Sequence, residues 1–217
     1  STGMSTLDEV RFSLGVVSAG YERVAPSVET FDAHGADPDR IASLYDKVAL
    51  LHCTTQYPTP FEDINLQAMP SLKDTFGLSV GLSDHSKGIS VPIAAVGIGA
   101  SIIEKHFTLS RDLPGPDHKA SLEPGELRDM IRAIREIEQA LGDGAKRARP
   151  SEEQNIEVAR RSIYATGTIR KGDTLSEANI TTKRPGSAMP AKIFWSLIGA
   201  TATRDYEFDE AIDEPIR

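Results

Sequence analysis

Short apolar runs alternate with helix-like stretches over residues 1–142, which is the pattern of an α/β domain. The apolar runs at 48–53, 78–82 and 100–103 predict buried parallel strands. Helical patterns predict helices at 8–15, 38–46, 64–76, 89–99 and 124–141. Residues 21–36 are polar and follow neither period, so we expect an irregular surface segment without a site of its own.

The helix predicted at 124–141 has the clearest pattern, because its apolar side chains fall on one stripe. Pro124 suits the first turn of this helix, and Gly142 suits its end. We expect the whole stripe to be core, and it consists of Leu127, Met130, Ile131, Ile134, Ile137 and Leu141.

The composition changes after Gly142. The segment that follows is charged and contains glycine and proline, which indicates a linker. Beyond it, β-like runs at 162–165 and 180–183 are separated by turn signals. The predicted organisation is a domain over 1–142, a linker over 143–157 and a small β-rich domain over 158–217.

Charge and cysteine content exclude several classes of protein. The 217-residue chain has a formal net charge of -8 and no basic cluster, which argues against nucleic acid or an anionic membrane as a partner. Its single cysteine, Cys53, allows no disulfide framework and lies in an apolar strand, so we expect a core thiol. The absence of a signal-like or membrane-spanning apolar run leads us to expect a cytoplasmic protein.

The motifs at 83–85 (Ser-Asp-His) and 104–106 (Glu-Lys-His) each follow a predicted strand. Loops at the carboxyl ends of neighbouring parallel strands share one crevice, so His85 and His106 are expected to meet there. Such an imidazole pair suits Zn, Mn or Fe. The alternative is a pair of structural histidines in polar loops. For Asp84 we expect either a cap on the helix that starts near Gly88 or a supporting role for His85.

Strand alternation separates the side chains of the second motif. Glu104 and His106 are expected to face one side together, whereas Lys105 points to the other. That orientation argues against an aldolase that forms a Schiff base on Lys105. His52 and His118 lack a matched partner and are expected to be structural.

Further motifs occur in the same order along the chain: Ser-Thr-Gly-Met at 1–4, His-Cys-Thr-Thr-Gln-Tyr-Pro-Thr-Pro at 52–60, Gly-Leu-Ser-Asp-His at 81–85, Ile-Glu-Lys-His-Phe-Thr at 103–108, Gly-Pro-Asp-His at 115–118 and Lys-Arg-Pro-Gly at 183–186. Together they resemble the N-acylneuraminate (sialic acid) synthases. The resemblance implies the carboxyl-terminal half of a TIM (β/α)8 barrel followed by an antifreeze-like (SAF, β-clip) domain. The amino-terminal half of the barrel is then missing from this sequence, and we expect a complementary segment, covalently attached or not, in the native molecule.

The resemblance also implies a reaction. It predicts condensation of phosphoenolpyruvate with N-acetylmannosamine or a related acylated amino sugar. A divalent metal is expected on His85 and His106, with Mn2+ favoured and Mg2+ or Co2+ possible, because the substrates present hard oxygen ligands. Glu104 is expected to be catalytic, together with the two histidines.

The remaining site residues are expected to bind substrate, again by resemblance. Tyr57 and Ser83 would bind phosphoenolpyruvate or line the pocket, and Asp117 would bind sugar hydroxyls. Thr55 stands where some relatives have an amide side chain. Arg184 is expected to reach the sugar's acyl group in the partner's active site, within a domain-swapped homodimer. The alternative for Arg184 is a surface ion pair with the acidic tail.

A non-catalytic alternative is a carbohydrate- or ice-binding module in the β-rich tail. An ice-binding face needs a flat, weakly charged surface. The tail instead carries basic residues at 170, 171, 183 and 184 and a series of acids from Asp205 to Glu214. Its charge therefore disfavours ice binding.

Overall fold

The computed structural model describes residues 1–186 and 188–213. Glu214, the last of the acidic series, lies outside the described residues. The chain divides into two compact units, Ser1–Gly144 and Ala145–Arg217.

The first unit is built on a three-stranded parallel sheet in the order β1-β2-β3. The strands are β1 (Ala49–Cys53), β2 (Ser79–Asp84) and β3 (Ile103–Lys105). The third strand starts three residues later than the start predicted at residue 100. Residues 100 and 101 are instead bonded to the end of the preceding helix and to β2, through Ala100 N to Ala95 O and Ser101 N to Val80 O.

Helices cover this sheet and precede it. In the first unit they are α1 (Leu7–Glu22), α2 (Val28–Ala36), α3 (Pro38–Ala42), α4 (Ala68–Phe76), α5 (Ser90–Gly97) and α6 (Pro124–Leu141), with short 3-10 turns at Phe61–Asp63 and Asp117–Ala120. The core beneath them is made by the central strand together with α1 and α4; it includes Leu14, Leu44, Met69, Leu72, Phe76, Leu78, Val80 and Leu82.

The expectation of an irregular segment at 21–36 is wrong. Helix α1 continues to Glu22, and α2 begins after Ser27, whose hydroxyl accepts a bond from the Thr30 amide. The buried face of α2 includes a histidine, His34, whose Nδ1 lies 3.2 Å from Ser18 Oγ. Because a polar side chain and glycines make this contact, hydrophobic periodicity could not detect it.

The stripe of α6 is core only in part. Met130 and Ile134 are buried, whereas Ile131 is 47% exposed and Leu141 is 52% exposed. The expectation that the whole stripe is core is therefore wrong for those two side chains.

The second unit is small and β-rich. It contains α7 (Pro150–Ala159), which begins within the segment predicted as a linker and ends two residues beyond it, the antiparallel pair β4 (Ser162–Ala165) and β5 (Ile180–Lys183), a 3-10 turn at Ala191–Ile193 and α8 (Phe194–Leu197). Its own core includes Ile163, Ile169, Leu175, Ile180, Tyr206 and Ile212. Its surface carries ion pairs, among them Arg170 to Asp205 at 3.0 Å and Arg204 to Glu210 at 2.6 Å. Within the described ranges, no helix has the length and apolar character needed to cross a membrane.

The contact of α1 with α2 makes a prediction about stability. A methyl group on Gly15 would lie 2.0 Å from the carbonyl oxygen of Phe31, whereas one on Gly20, in the same helix, would meet nothing within 4 Å. Gly15→Ala should lower the free energy of unfolding by about 1–3 kcal/mol, because the helices must move apart. Gly20→Ala, the control, should leave it unchanged or raise it. Urea unfolding of both variants measures the difference, and equal stability would contradict the close packing.

Candidate active site

A cavity of about 350 Å3 opens where the three parallel strands end. Most of the site residues predicted from the sequence line it, although they come from separate segments of the chain. Its walls are Ser1, Gly3, Cys53, Thr55, Tyr57, Ser83, His85, Glu104 and His106.

The pairing of β2 with β3 fixes the carboxylate in this cavity. Ser83 is the register partner of Glu104, so their side chains leave the sheet on the same face. Ser83 Oγ donates a hydrogen bond of 2.5 Å to Glu104 Oε1. Ser83 is buried, whereas Glu104 is exposed to the cavity. The serine therefore orients a carboxylate that solvent and ligands can reach.

The two imidazoles lie side by side. The ring centres of His85 and His106 are 5.3 Å apart. The ring centre of Tyr57 lies 4.2 Å from that of His85 and 5.5 Å from that of His106. His85 Nδ1 lies 3.0 Å from the carbonyl oxygen of Thr54. A carbonyl can only accept a hydrogen bond, so this contact favours the tautomer with the proton on Nδ1 and leaves Nε2 free to bind a ligand.

The loop that carries Tyr57 is held against β2. The buried Thr59 donates its amide to His85 O at 2.9 Å and its hydroxyl to Gln56 O at 2.7 Å. These bonds tie the loop to the backbone of His85, so Tyr57 and His85 are positioned together.

The two histidines expected to be structural each have a ring nitrogen within hydrogen-bonding distance of another residue. His52 Nε2 lies 2.7 Å from Ile64 O, and His118 Nδ1 lies 2.8 Å from Thr108 Oγ1. Neither His52 nor His118 lines the cavity.

The expectation that Asp84 caps a helix is wrong, and Asp84 is not hydrogen-bonded directly to the His85 ring. Asp84 lies on the opposite face of the sheet, where its Oδ2 accepts a 2.5 Å bond from Lys105 Nζ and its Oδ1 accepts one from Ser86 N. The helix that follows has no side-chain cap, and Asp84 makes no bond to His85. The cavity therefore contains one carboxylate, Glu104, and Lys105 lies outside it.

The two other expected substrate-binding residues are Asp117 and Arg184. Asp117 is exposed on the 3-10 turn Asp117–Ala120, and the cavity walls do not include it. Arg184 belongs to the second unit, where its Nε donates to Ala159 O at 2.7 Å.

The expectation that Cys53 is a core thiol is wrong. Its thiol lines the cavity, and Sγ lies 3.7 Å from His85 Nδ1. Cys53 is the register partner of Ser83, so both side chains leave the sheet on one face. The apolar residues around Cys53 suggested burial, and no pattern in the sequence indicated its pairing with Ser83.

The cavity residues that could hold a metal ion are the imidazoles of His85 and His106. In the part of the chain that the structure describes, no group of three or more His, Cys, Asp or Glu side chains could hold a metal. A divalent ion held by these two imidazoles would need further ligands from water or substrate.

The loop that bears Asp117 is attached to the start of α6 by ionic contacts. Arg111 donates through Nε to Ser121 O at 3.0 Å and pairs through Nη2 with Glu126. The hydrogen bond from Arg111 lowers the pKa of the Glu126 carboxyl, and a bond from the Glu123 amide adds to this effect.

Comparison with known proteins identifies the chain. The NeuB family model matches residues 1–146, and the SAF domain model matches residues 160–214. The chain belongs to the NeuB family. The α/β class, with a TIM-barrel-type part followed by an SAF domain, is thereby confirmed.

Several relatives are named as synthases of legionaminic, pseudaminic or N-acetylneuraminic acids. The chain is 46% identical to N,N'-diacetyllegionaminic acid synthase of Campylobacter jejuni, over 99% of the chain and 58% of that protein. It is 35% identical to human N-acetylneuraminate-9-phosphate synthase, over 81% of the chain and 50% of that protein. The crystal structure of N-acetylneuraminic acid synthetase from Leptospira borgpetersenii matches with a TM-score of 0.51 and 33% identity, over 68% of the chain and 53% of that protein. The chain thus spans about half the length of the curated relatives it matches.

The contact between Arg111 and Glu126 predicts a dependence of stability on pH. Because the folded-state pKa of Glu126 is depressed, its contribution is present above the unfolded value of about 4.3 and is lost as pH falls through the folded value. Glu126→Gln should therefore lower the urea midpoint at pH 7, and its difference from the unaltered protein should shrink below about pH 4. Glu136→Gln, at a 70% exposed position of the same helix, is the control. A difference that is constant with pH would contradict this role.

Proposed function

We propose that the complete protein condenses phosphoenolpyruvate with an acylated amino sugar, giving a nonulosonic acid and phosphate. The observation that carries the proposal is the grouping of His85, His106 and Glu104 in one cavity at the strand ends. Membership of the NeuB family supports it, as do relatives named as legionaminic and sialic acid synthases.

The residues present fit a divalent ion. His85 keeps Nε2 available because Nδ1 faces Thr54 O, and the adjacent His106 ring provides a second nitrogen ligand. Bound there, the ion would supply Lewis-acid polarisation of the aldehyde oxygen of the open-chain sugar. We propose Mn2+ ahead of Zn2+, because the aldehyde and carboxylate oxygens of the substrates are hard ligands.

The reaction forms one carbon–carbon bond and one carbon–oxygen bond to water, and it breaks the carbon–oxygen bond to phosphate, while the aldehyde oxygen takes up a proton and becomes a hydroxyl. The enol carbon of phosphoenolpyruvate attacks the aldehyde carbon, and water then adds to the oxocarbenium centre that develops at C2. Glu104 orients this water and accepts its proton, while Ser83 holds the carboxylate in place. Departure of phosphate from C2 then leaves the 2-keto acid.

Tyr57 and Thr55 complete the cavity wall. The Tyr57 ring packs on both imidazoles and restricts their rotation, and its exposed edge faces the space where substrate would bind. Thr55 lines the same wall and offers a hydroxyl to substrate oxygens. These contacts position phosphoenolpyruvate in our proposal, whereas Asp117 binds sugar hydroxyls.

The acceptor sugar is the point at which the relatives differ. Sequence identity to the diacetyllegionaminic acid synthase is higher than to the human N-acetylneuraminate-9-phosphate synthase, and the aligned region covers more of the chain. We propose a diacetamido sugar as the preferred acceptor. Phosphate release from phosphoenolpyruvate, measured with Mn2+ and a panel of N-acetylmannosamine, its 6-phosphate and diacetamido sugars, tests the function. No release with any acceptor would refute it.

Replacement of either imidazole should weaken metal binding. His85→Ala and His106→Ala should each raise the dissociation constant for Mn2+ by about tenfold or more, since a direct ligand should matter at least as much as its supporting groups. His118→Ala, whose ring bonds to Thr108 outside the cavity, is the control and should keep the affinity. Titration of Mn2+ by electron paramagnetic resonance measures all three. Unchanged affinity in both site variants would refute the assignment.

Arg184 should act on the partner's site in a domain-swapped homodimer. Arg184→Ala and His106→Ala should each be inactive, and mixing them under conditions that exchange subunits should restore activity. Recovery is expected because a mixed dimer contains one site with both intact residues. Proven heterodimers that remain inactive would contradict the arrangement in trans.

A further inference from the structure

A buried ion pair lies on the face of the sheet opposite the cavity. Lys105 Nζ donates to Asp84 Oδ2 at 2.5 Å and to the Ser86 carbonyl oxygen at 2.7 Å. The Lys105 side chain is 3% exposed and that of Asp84 is 2% exposed. Neither lines the cavity, so neither can contact a substrate bound there.

The pair occupies the last register position of β2 and β3. Asp84 is the partner of Lys105, just as Ser83 is the partner of Glu104 one position earlier. The next residues along the two segments are His85 and His106. Any slip or separation of the strand ends therefore changes the spacing of the two imidazoles.

The bonds of the pair converge on the backbone beside His85. Asp84 Oδ1 accepts a hydrogen bond of 2.9 Å from the Ser86 amide, and Lys105 Nζ donates one to the Ser86 carbonyl oxygen. From the other side, Thr59 N donates to His85 O at 2.9 Å. The backbone around His85 is thus fixed by bonds from β3 and from the loop that carries Tyr57.

Stability does not by itself account for such a pair. Desolvation of two charges offsets much of their attraction, and well-packed apolar side chains are often as stabilising in the same place. Apolar side chains, however, could not hold the Ser86 carbonyl. The bonds to Ser86 are what the pair contributes beyond packing.

We propose that the Asp84–Lys105 pair is a positioning device that holds His85 at a fixed distance from His106. It thereby sets the affinity of the cavity for its divalent ion. The inference rests on the proposed function, in which these imidazoles bind the ion. Asp84 and Lys105 act through His85 and take no part in the chemical steps.

The test replaces the pair without leaving one buried charge alone. Asp84→Leu combined with Lys105→Met keeps an apolar filling, and Asp84→Asn combined with Lys105→Gln keeps polar side chains of similar shape. Both remove the ammonium that holds Ser86. Lys73→Met, at an exposed lysine of α4, is the matched control. Thermal unfolding and Mn2+ titration by electron paramagnetic resonance are measured on every variant in the complete protein.

We expect the folded double variants to bind Mn2+ about tenfold more weakly, as when a group supporting a metal ligand is lost. Their KM for phosphoenolpyruvate, measured at saturating Mn2+, should stay near that of the unaltered enzyme, and excess Mn2+ should restore kcat. Lys73→Met should change neither the Mn2+ affinity nor the KM for phosphoenolpyruvate.

Unaltered Mn2+ affinity in a folded double variant would overturn the positioning role. If neither double variant folds, the pair serves the fold as a whole, and the positioning role is likewise overturned. Absence of Mn2+ binding by the unaltered protein would instead refute the proposed function, so the two failures can be told apart.

Discussion

Hydrogen bonds between β2 and the segment leading into β3 set the register that places Ser83 opposite Glu104 and Asp84 opposite Lys105. A shift by one residue would exchange the two faces and put Lys105 in the cavity in place of Glu104. Gly81 permits this close approach, because a methyl group on it would lie 2.4 Å from Ile102 O. The carboxylate and both imidazoles of the site depend on this one pairing.

The two faces of the pairing have different chemistry. On the cavity face, Ser83 orients a carboxylate that ligands can reach, and on the other face Lys105 and Asp84 are sealed from solvent. Opposite charges that remain buried keep each other neutralised, whereas an accessible carboxylate and open imidazole nitrogens can act on substrates. Strand alternation therefore separates the accessible carboxylate of Glu104 from the buried Asp84–Lys105 pair.

The sequence predicted the three parallel strands and the meeting of His85, His106 and Glu104, because parallel strands bring their carboxyl ends to one edge. It failed where polar residues or glycines make the contacts. Helix α2 packs through His34 and a glycine, and Asp84 finds its partner one strand away. Cys53 was misplaced because its neighbours along the chain are apolar, although its register partner is in the site. Such contacts depend on distances between segments that no local pattern records.

The central claim is that the ends of β2 and β3 together form the ligand set for a divalent ion. Crystals of the complete protein soaked in Mn2+, with anomalous diffraction recorded at the manganese edge, test it most directly. The account predicts a single strong anomalous peak between His85 and His106, with a nitrogen of each ring as a direct ligand and with Glu104 facing the same cavity. A peak elsewhere, or a peak bound by only one of the two histidines, would contradict it.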